Sequence, residues 1–281
     1  MDAVPLRGRR QSGLALAVLL GPTLVVLFIG LVLPTLQTGY ASLRNADGSA
    51  WVGLRNFGWA LSDGNALTGL MNSLTWTVVV PVAATALGLA AALMLQRQRS
   101  GSVPGLLLLW PLAVSYVAAG TAWGLLYQDL SLPWSTLLLT AVMIWIQSGF
   151  AMVLLGLAIA GIPADVVEAA TLDGAVGWRR LVAITLPMIG GRIVVVLTTI
   201  AVVSWKVFDI VRTTTDGADG TAVVATQMYR QAFDEADAGR GSALAIILLI
   251  GVIPLVAFNA RRVRDQVVVR AHRVRLPRST R

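Results

Sequence analysis

The sequence predicts an all-α, polytopic integral membrane protein with six transmembrane helices. Of its 281 residues, 56% are hydrophobic and only 13% charged, and the mean hydropathy is +0.75. A soluble domain of that length carries about 25% charged residues. Apolar runs recur along the chain, each of the roughly twenty residues needed to cross a hydrocarbon core about 30 Å thick.

The spans fall at about 13–34, 71–95, 104–126, 136–157, 188–207 and 242–259, within one transmembrane domain covering 1–281. The first follows Arg7, Arg9 and Arg10 like a signal peptide. Its run is longer than a signal core and no A-x-A-like site follows, so it reads as a retained span. The second ends sharply at Gln96-Arg97-Gln98-Arg99. The third and fourth are separated only by the short stretch 128–135, and the sixth runs into an arginine-rich tail. Trp51, Trp59, Trp123, Tyr127 and Trp134 collect near the expected outer surface, as aromatic anchors do.

Charge sets the orientation. Arg97, Arg99, Arg179, Arg180 and Arg192 join the N-terminal arginines on one side, and eight more follow Asn259. The opposite connections hold Arg44, Arg55, Lys206, Arg212, Arg230 and Arg240, offset by acids such as Asp47, Asp63, Asp129, Asp216, Asp219 and Asp234. By the positive-inside rule both termini are expected in the cytoplasm of a bacterial inner membrane. The net charge of +8 reports that orientation, and no nucleic-acid partner is expected.

Several chemistries are absent from the sequence. It has no cysteine, which removes disulfides and thiolate metal sites, and its one histidine, His272, stands in the basic tail. No paired carboxylates, metal cluster or Ser/His arrangement lies within the spans, so no catalytic or metal-binding residue is assigned. Gly239-Arg240-Gly241-Ser242 reads as a helix start, not a nucleophile elbow. The span centres lack the acids that an ion-coupled carrier uses as relays, which makes a secondary transporter the weaker reading. A P-loop needs a lysine to reach the phosphates, and the single lysine, Lys206, lies in Ser-Trp-Lys-Val. The chain therefore has no cofactor of its own, and any ATP hydrolysis belongs to another polypeptide. A passive channel stays open on composition alone.

The connection 161–187 carries the sharpest local pattern, IPADVVEAATLDGAVGWRRLVAITLP from Ile162 onward. Gly161 breaks the fourth span, Pro163 suits a helix start, and Asp165 favours the positive end of that helix. Val166, Ala169, Ala170 and Leu172 supply a small apolar face, flanked by Glu168 and Asp173. Gly174 permits a backbone turn that a side chain would obstruct. A second helix is expected from near Trp178 to Pro187, where the fifth span begins. By this pattern alone the segment is a helix–turn–helix at the membrane surface, and a merely interfacial helix fits it too.

The segment resembles the EAA loop of binding-protein-dependent ABC importer permeases. It matches that pattern at Glu168, Ala169, Ala170, Asp173, Gly174, Ala175, Ile184, Leu186 and Pro187. Elsewhere Pro34-Thr35, Ser42-Leu43, Val52 to Phe57, Asn72-Ser73-Leu74, Phe208-Asp209 and Met228 to Phe233 resemble the sugar-type permeases of the maltose and glycerol-phosphate group, first of the two permease types. Two departures touch the outer face: 215–220 replaces a Gly-Gly-Pro turn, and 128–135 is short. The resemblance implies a cytoplasmic coupling helix, made by Glu168, Ala169, Ala170, Asp173, Gly174 and Pro187, that seats on an ATPase carrying ATP-Mg. It further implies a second homologous permease, two ATPase copies, an extracytoplasmic solute-binding protein, and import of a sugar or sugar-like solute by alternating access.

A solute path for sugars combines an aromatic face with hydrogen-bonding groups. Trp145, Gln147 and Ser148 bring a ring and an amide together near the middle of the fourth span, and Tyr116 of the third could face the same cavity. Gln147 serving only to bond a neighbouring helix is the competing reading. A neutral sugar is expected because the spans hold no arginine at mid-depth; a glycerol-phosphate-type solute is the alternative.

Overall fold

The computed structural model describes residues 8–97, 110, 113–130 and 135–275. These form α1 (Gly8–Leu27), α2 (Leu33–Ala41), α3 (Arg55–Ser62), α4 (Gly64–Arg97), α5 (Tyr116–Leu130) and α6 (Ser135–Ala160). They continue as α7 (Ala164–Leu172), α8 (Gly177–Arg180), α9 (Leu186–Trp205), α10 (Asp209–Thr214), α11 (Val224–Tyr229) and α12 (Ala238–Arg275). Among the described residues, five stretches are long and apolar enough to cross a membrane: Val18–Ala41, Gly64–Gln96, Thr136–Ala160, Gly177–Trp205 and Ala238–Arg261. Of the expected third span, residues 104–109, 111 and 112 lie outside the described residues, and its described part contains the shorter apolar helix Tyr116–Leu126.

The spans begin and end differently from the sequence expectation in one informative way. The fifth starts at Gly177, not at 188, because the chain passes Pro187 without breaking. A π-turn, Leu181–Thr185, joins α8 to α9, with the Leu186 N–H bonded to the Leu181 carbonyl. An equivalent π-turn, Phe28–Val32, joins α1 to α2 just before Pro34. In both places the proline stands two residues beyond the wide turn. A proline ring clashes with the carbonyl four residues back and cannot donate to it. One wide turn relieves that conflict while keeping the helix continuous.

The core forms where α4, α6 and α9 meet, with α10 packed on α5 and α12 against α9, α2 and α3. One stripe of α4, Trp76, Val80, Ala84, Gly88 and Ala92, recurs every four residues and so lies along one face. All five are buried, and they shrink from Trp76 to Gly88. At Gly88 a methyl group would stand 2.7 Å from the Ser148 carbonyl oxygen and 2.5 Å from the Ala151 side chain, so only glycine lets α4 approach α6 that closely. Likewise Gly251 of α12 meets the indole of Trp205, whose Nε1 donates to the Leu248 carbonyl at 2.8 Å.

Candidate functional site

The 161–187 segment is a short helix held between two longer ones. The Gly161 N–H closes α6 onto the Leu157 carbonyl, Pro163 caps α7 with extended backbone, and Asp165 occupies the first turn. At the other end Gly174 adopts φ +72°, its N–H bonds the Thr171 carbonyl, and the Ala175 N–H reaches the Ala170 carbonyl at 2.8 Å. This pair of bonds with a left-handed glycine is the Schellman stop, which satisfies carbonyls that the helix end leaves open. Gly177 is left-handed too, at φ +55°.

Ala169 and Ala170 do not form one open surface. Ala170 is only 4% exposed, and Ala175, its partner in the Schellman bond, is buried as well. Glu168, Ala169, Asp173 and Gly174 are exposed, as is Leu172 at 89%. Val166, expected on an apolar face, is exposed too. Pro187 is exposed on α9, beyond the π-turn. Nearby, Arg192 donates from Nη1 to the Ala158 carbonyl at 3.0 Å, placing a cation at the C-terminal end of α6 where the helix dipole favours one.

Within the bundle, Gln147 is 6% exposed on α6, whereas Trp145 is 37% exposed. Two residues apart on an α-helix are about 200° apart, so the ring and the amide face different sides. Ser148 turns its hydroxyl back onto the Trp145 carbonyl at 2.7 Å. Tyr116 is half-buried at the start of α5 and packs on the central cluster with Trp123 and Phe208. The four residues singled out in the sequence therefore do not share one surface.

Two hydroxyls went unnoticed in the sequence. Those of Ser204 on α9 and Thr85 on α4 are buried without a hydrogen-bond partner among the described residues. Thr77, Thr140, Thr198 and Thr199 instead bond carbonyls one turn back, the ordinary use of such residues in a span. No pattern in the sequence separates the two kinds. Among the described residues no group of three or more His, Cys, Asp or Glu side chains could hold a metal ion.

The opposite end of the bundle is tied by two asparagines. Asn72 donates to the carbonyls of Gly220 and Ala222 at 2.7 and 2.8 Å, and Ser73 accepts the Val224 N–H at 3.0 Å. Asn56 donates to the carbonyls of Ser42 and Arg44 at 2.9 and 2.7 Å. At the same end, Arg212 pairs with Asp216, lies 3.7 Å from Asp234, and stacks 4.6 Å above the Tyr229 ring. Phe208, Tyr229 and Phe233 continue as an aromatic ladder with centroids 5.5 and 4.9 Å apart. In the first loop at this end, the Ser49 hydroxyl and N–H donate to Asp47 and hold its carboxyl below the usual carboxylate range.

Comparison with known proteins follows the same lines. Residues 70–268 match the family model described as binding-protein-dependent transport system inner membrane component. The chain is 36% identical over 271 residues to the osmoprotective compounds uptake permease protein GgtC of Synechocystis, covering 87% of this chain and 97% of that one. It is 36% identical over 269 residues to the alpha-glucoside transport system permease protein AglF of Rhizobium meliloti, covering 86% and 80%. It is 28% identical over 280 residues to the sn-glycerol-3-phosphate transport system permease protein UgpA of the same organism, covering 89% and 94%. Its fold is similar to that of a bacterial alginate ABC transporter solved with a periplasmic protein bound to an alginate pentasaccharide. That match has TM-score 0.76 and 21% identity, over 92% of this chain and 97% of the other.

Proposed function

The chain belongs to the family of binding-protein-dependent transport system inner membrane components, and from that premise we propose that it is a permease subunit of an ATP-driven importer for a neutral sugar or glucoside-like solute. It is a transport subunit of the inner membrane and not an enzyme. The observation that carries the coupling role is α7, a helix stopped by a left-handed Gly174 that leaves Glu168, Ala169 and Leu172 exposed. That exposed edge docks on a cytoplasmic ATPase, present in two copies that hold ATP-Mg, and a second permease completes the membrane unit. The 161–187 end faces the cytoplasm, with both termini. A binding protein delivers the solute to the opposite end, where Asn56 and Asn72 hold the loops in place. ATPase closure then opens the path between the two faces in turn.

The solute class is supported by the 36% identity to an alpha-glucoside permease and by a sequence that places no arginine at mid-depth in a span. Arg192, inside the fifth span, is engaged with the Ala158 carbonyl. The test is uptake into proteoliposomes that contain this chain with its second permease, ATPase and binding protein. Labelled α-glucoside should accumulate only with ATP and binding protein both present. Accumulation of glycerol 3-phosphate but no glucoside would overturn the solute assignment, and uptake without ATP would overturn the importer class.

A further inference from the structure

We propose that the cleft behind the 161–187 segment is a binding site for an anionic phospholipid. A cavity of about 530 Å³ lies between that segment, the ends of α4 and α6, and the π-turn that precedes α9. Its volume falls in the roughly 300–1,000 Å³ range of sites that hold small organic ligands. Leu93, Ile159 and Ile184 give it apolar walls, and the exposed Gln96, Trp178 and Arg180 complete its lining. Among the described residues no carboxylate lines it.

Depth selects the occupant. Gln96 closes the apolar stretch Gly64–Gln96, Ile159 lies at the end of Thr136–Ala160, and Trp178 and Arg180 open Gly177–Trp205. The cleft is therefore at headgroup level, where an exposed tryptophan is a common anchor; Trp178 is 74% exposed. An acyl chain fills the apolar walls and a phosphate meets the guanidinium of Arg180, with the adjacent Arg179 adding to the field. A soluble anion would leave the walls empty, and a zwitterionic lipid would offset part of its own negative charge. Because Val167 and Val176 form one wall, a lipid seated there touches the coupling segment and the bundle together. The inference rests on the proposed orientation only for the leaflet that supplies the lipid.

The test is native mass spectrometry of the complete transporter in detergent, titrated with phosphatidylglycerol and with phosphatidylcholine of the same chains. Phosphatidylglycerol should add at a saturable site about tenfold more tightly than phosphatidylcholine, the worth of one charge-assisted contact. Arg180→Gln should remove that preference, Arg180→Lys should keep most of it, and Ile184→Trp should block the adduct by filling the cavity. Equal binding of the two lipids overturns the proposal, as does an adduct that survives both Arg180→Gln and Ile184→Trp. If Arg180→Gln does not assemble, the Arg180→Lys and Ile184→Trp pair decides alone. Adducts are counted whatever the transport result, so this failure and that of the importer reading are separable.

Discussion

The side-chain amide of Asn72 lies 2.7 Å from the carbonyl oxygen of Gly220, a residue 148 positions further along the chain. The same nitrogen donates to Ala222, so one side chain at the start of a span holds the loop that follows α10. Asn72→Ala leaves both carbonyls without this donor and should cost about 1–3 kcal/mol. A thiol introduced as Ala218→Cys should then be labelled faster than in the Asn72 background. Unchanged labelling and an unchanged melting temperature would show that the clasp does not hold the loop.

Gly174 is left-handed, and a methyl group built on it meets nothing within 4 Å. The penalty for a side chain there is therefore purely conformational, about 1–2 kcal/mol. Gly174→Val should insert normally yet lose ATPase association and transport, while Gly174→Asn, which tolerates that conformation, should keep much of both. Wild-type uptake by well-expressed Gly174→Val would refute the coupling role, and loss of expression would favour a merely structural loop.

Helix packing gives a paired comparison. Gly88 has no room for a side chain, whereas a methyl on Gly156 would touch only the Ala92 side chain at 3.9 Å. Gly88→Val should cost about 1–3 kcal/mol from overpacking, and Gly156→Ala should be near neutral. The thermal midpoints of the two purified variants check this, and a similar shift in both would contradict the close approach of α4 to α6.

For the solute path, Gln147→Ala should lower uptake at limiting solute while leaving assembly and basal ATPase activity intact. Ser204→Ala removes a hydroxyl that has no partner among the described residues, so it should not destabilise the chain. If that hydroxyl serves the solute, its loss lowers uptake as well. Loss of assembly in Gln147→Ala would assign its amide to helix packing.

Orientation is open to direct labelling. A cysteine at Ser100, which lies outside the described residues, should react only from the cytoplasmic side, and one at Ala218 only from outside. Reaction at Ser100 in intact cells with an impermeant reagent would reverse the topology.

The long helices were legible because apolar runs of this length have few alternatives in a membrane. The turn at Gly174 was legible too, since glycine after a short helix is its commonest stop. The continuous passage through Pro187 was not, because a π-turn is an answer to a missing N–H and leaves no periodic trace. Trp145 and Gln147 are close in sequence but divided by helical geometry, which a reading by proximity overlooks. The separation of Ala170 from Ala169 has the same origin: neighbours on a helix turn by about 100°. The Trp205–Gly251 contact joins residues of two different spans, and no local pattern announces it.

The uninterrupted run from Gly177 to Trp205, which begins three residues beyond Gly174, has the shape of a lever. Its 29 residues correspond to about 43 Å at 1.5 Å per residue, with no flexible joint at the proline. By that length, a tilt of only about 5° at the near end sweeps the far end through an arc of roughly 4 Å. Ser204 and Trp205 stand at that far end, so a rigid tilt imposed beside Trp178 would carry with it the indole that holds Leu248.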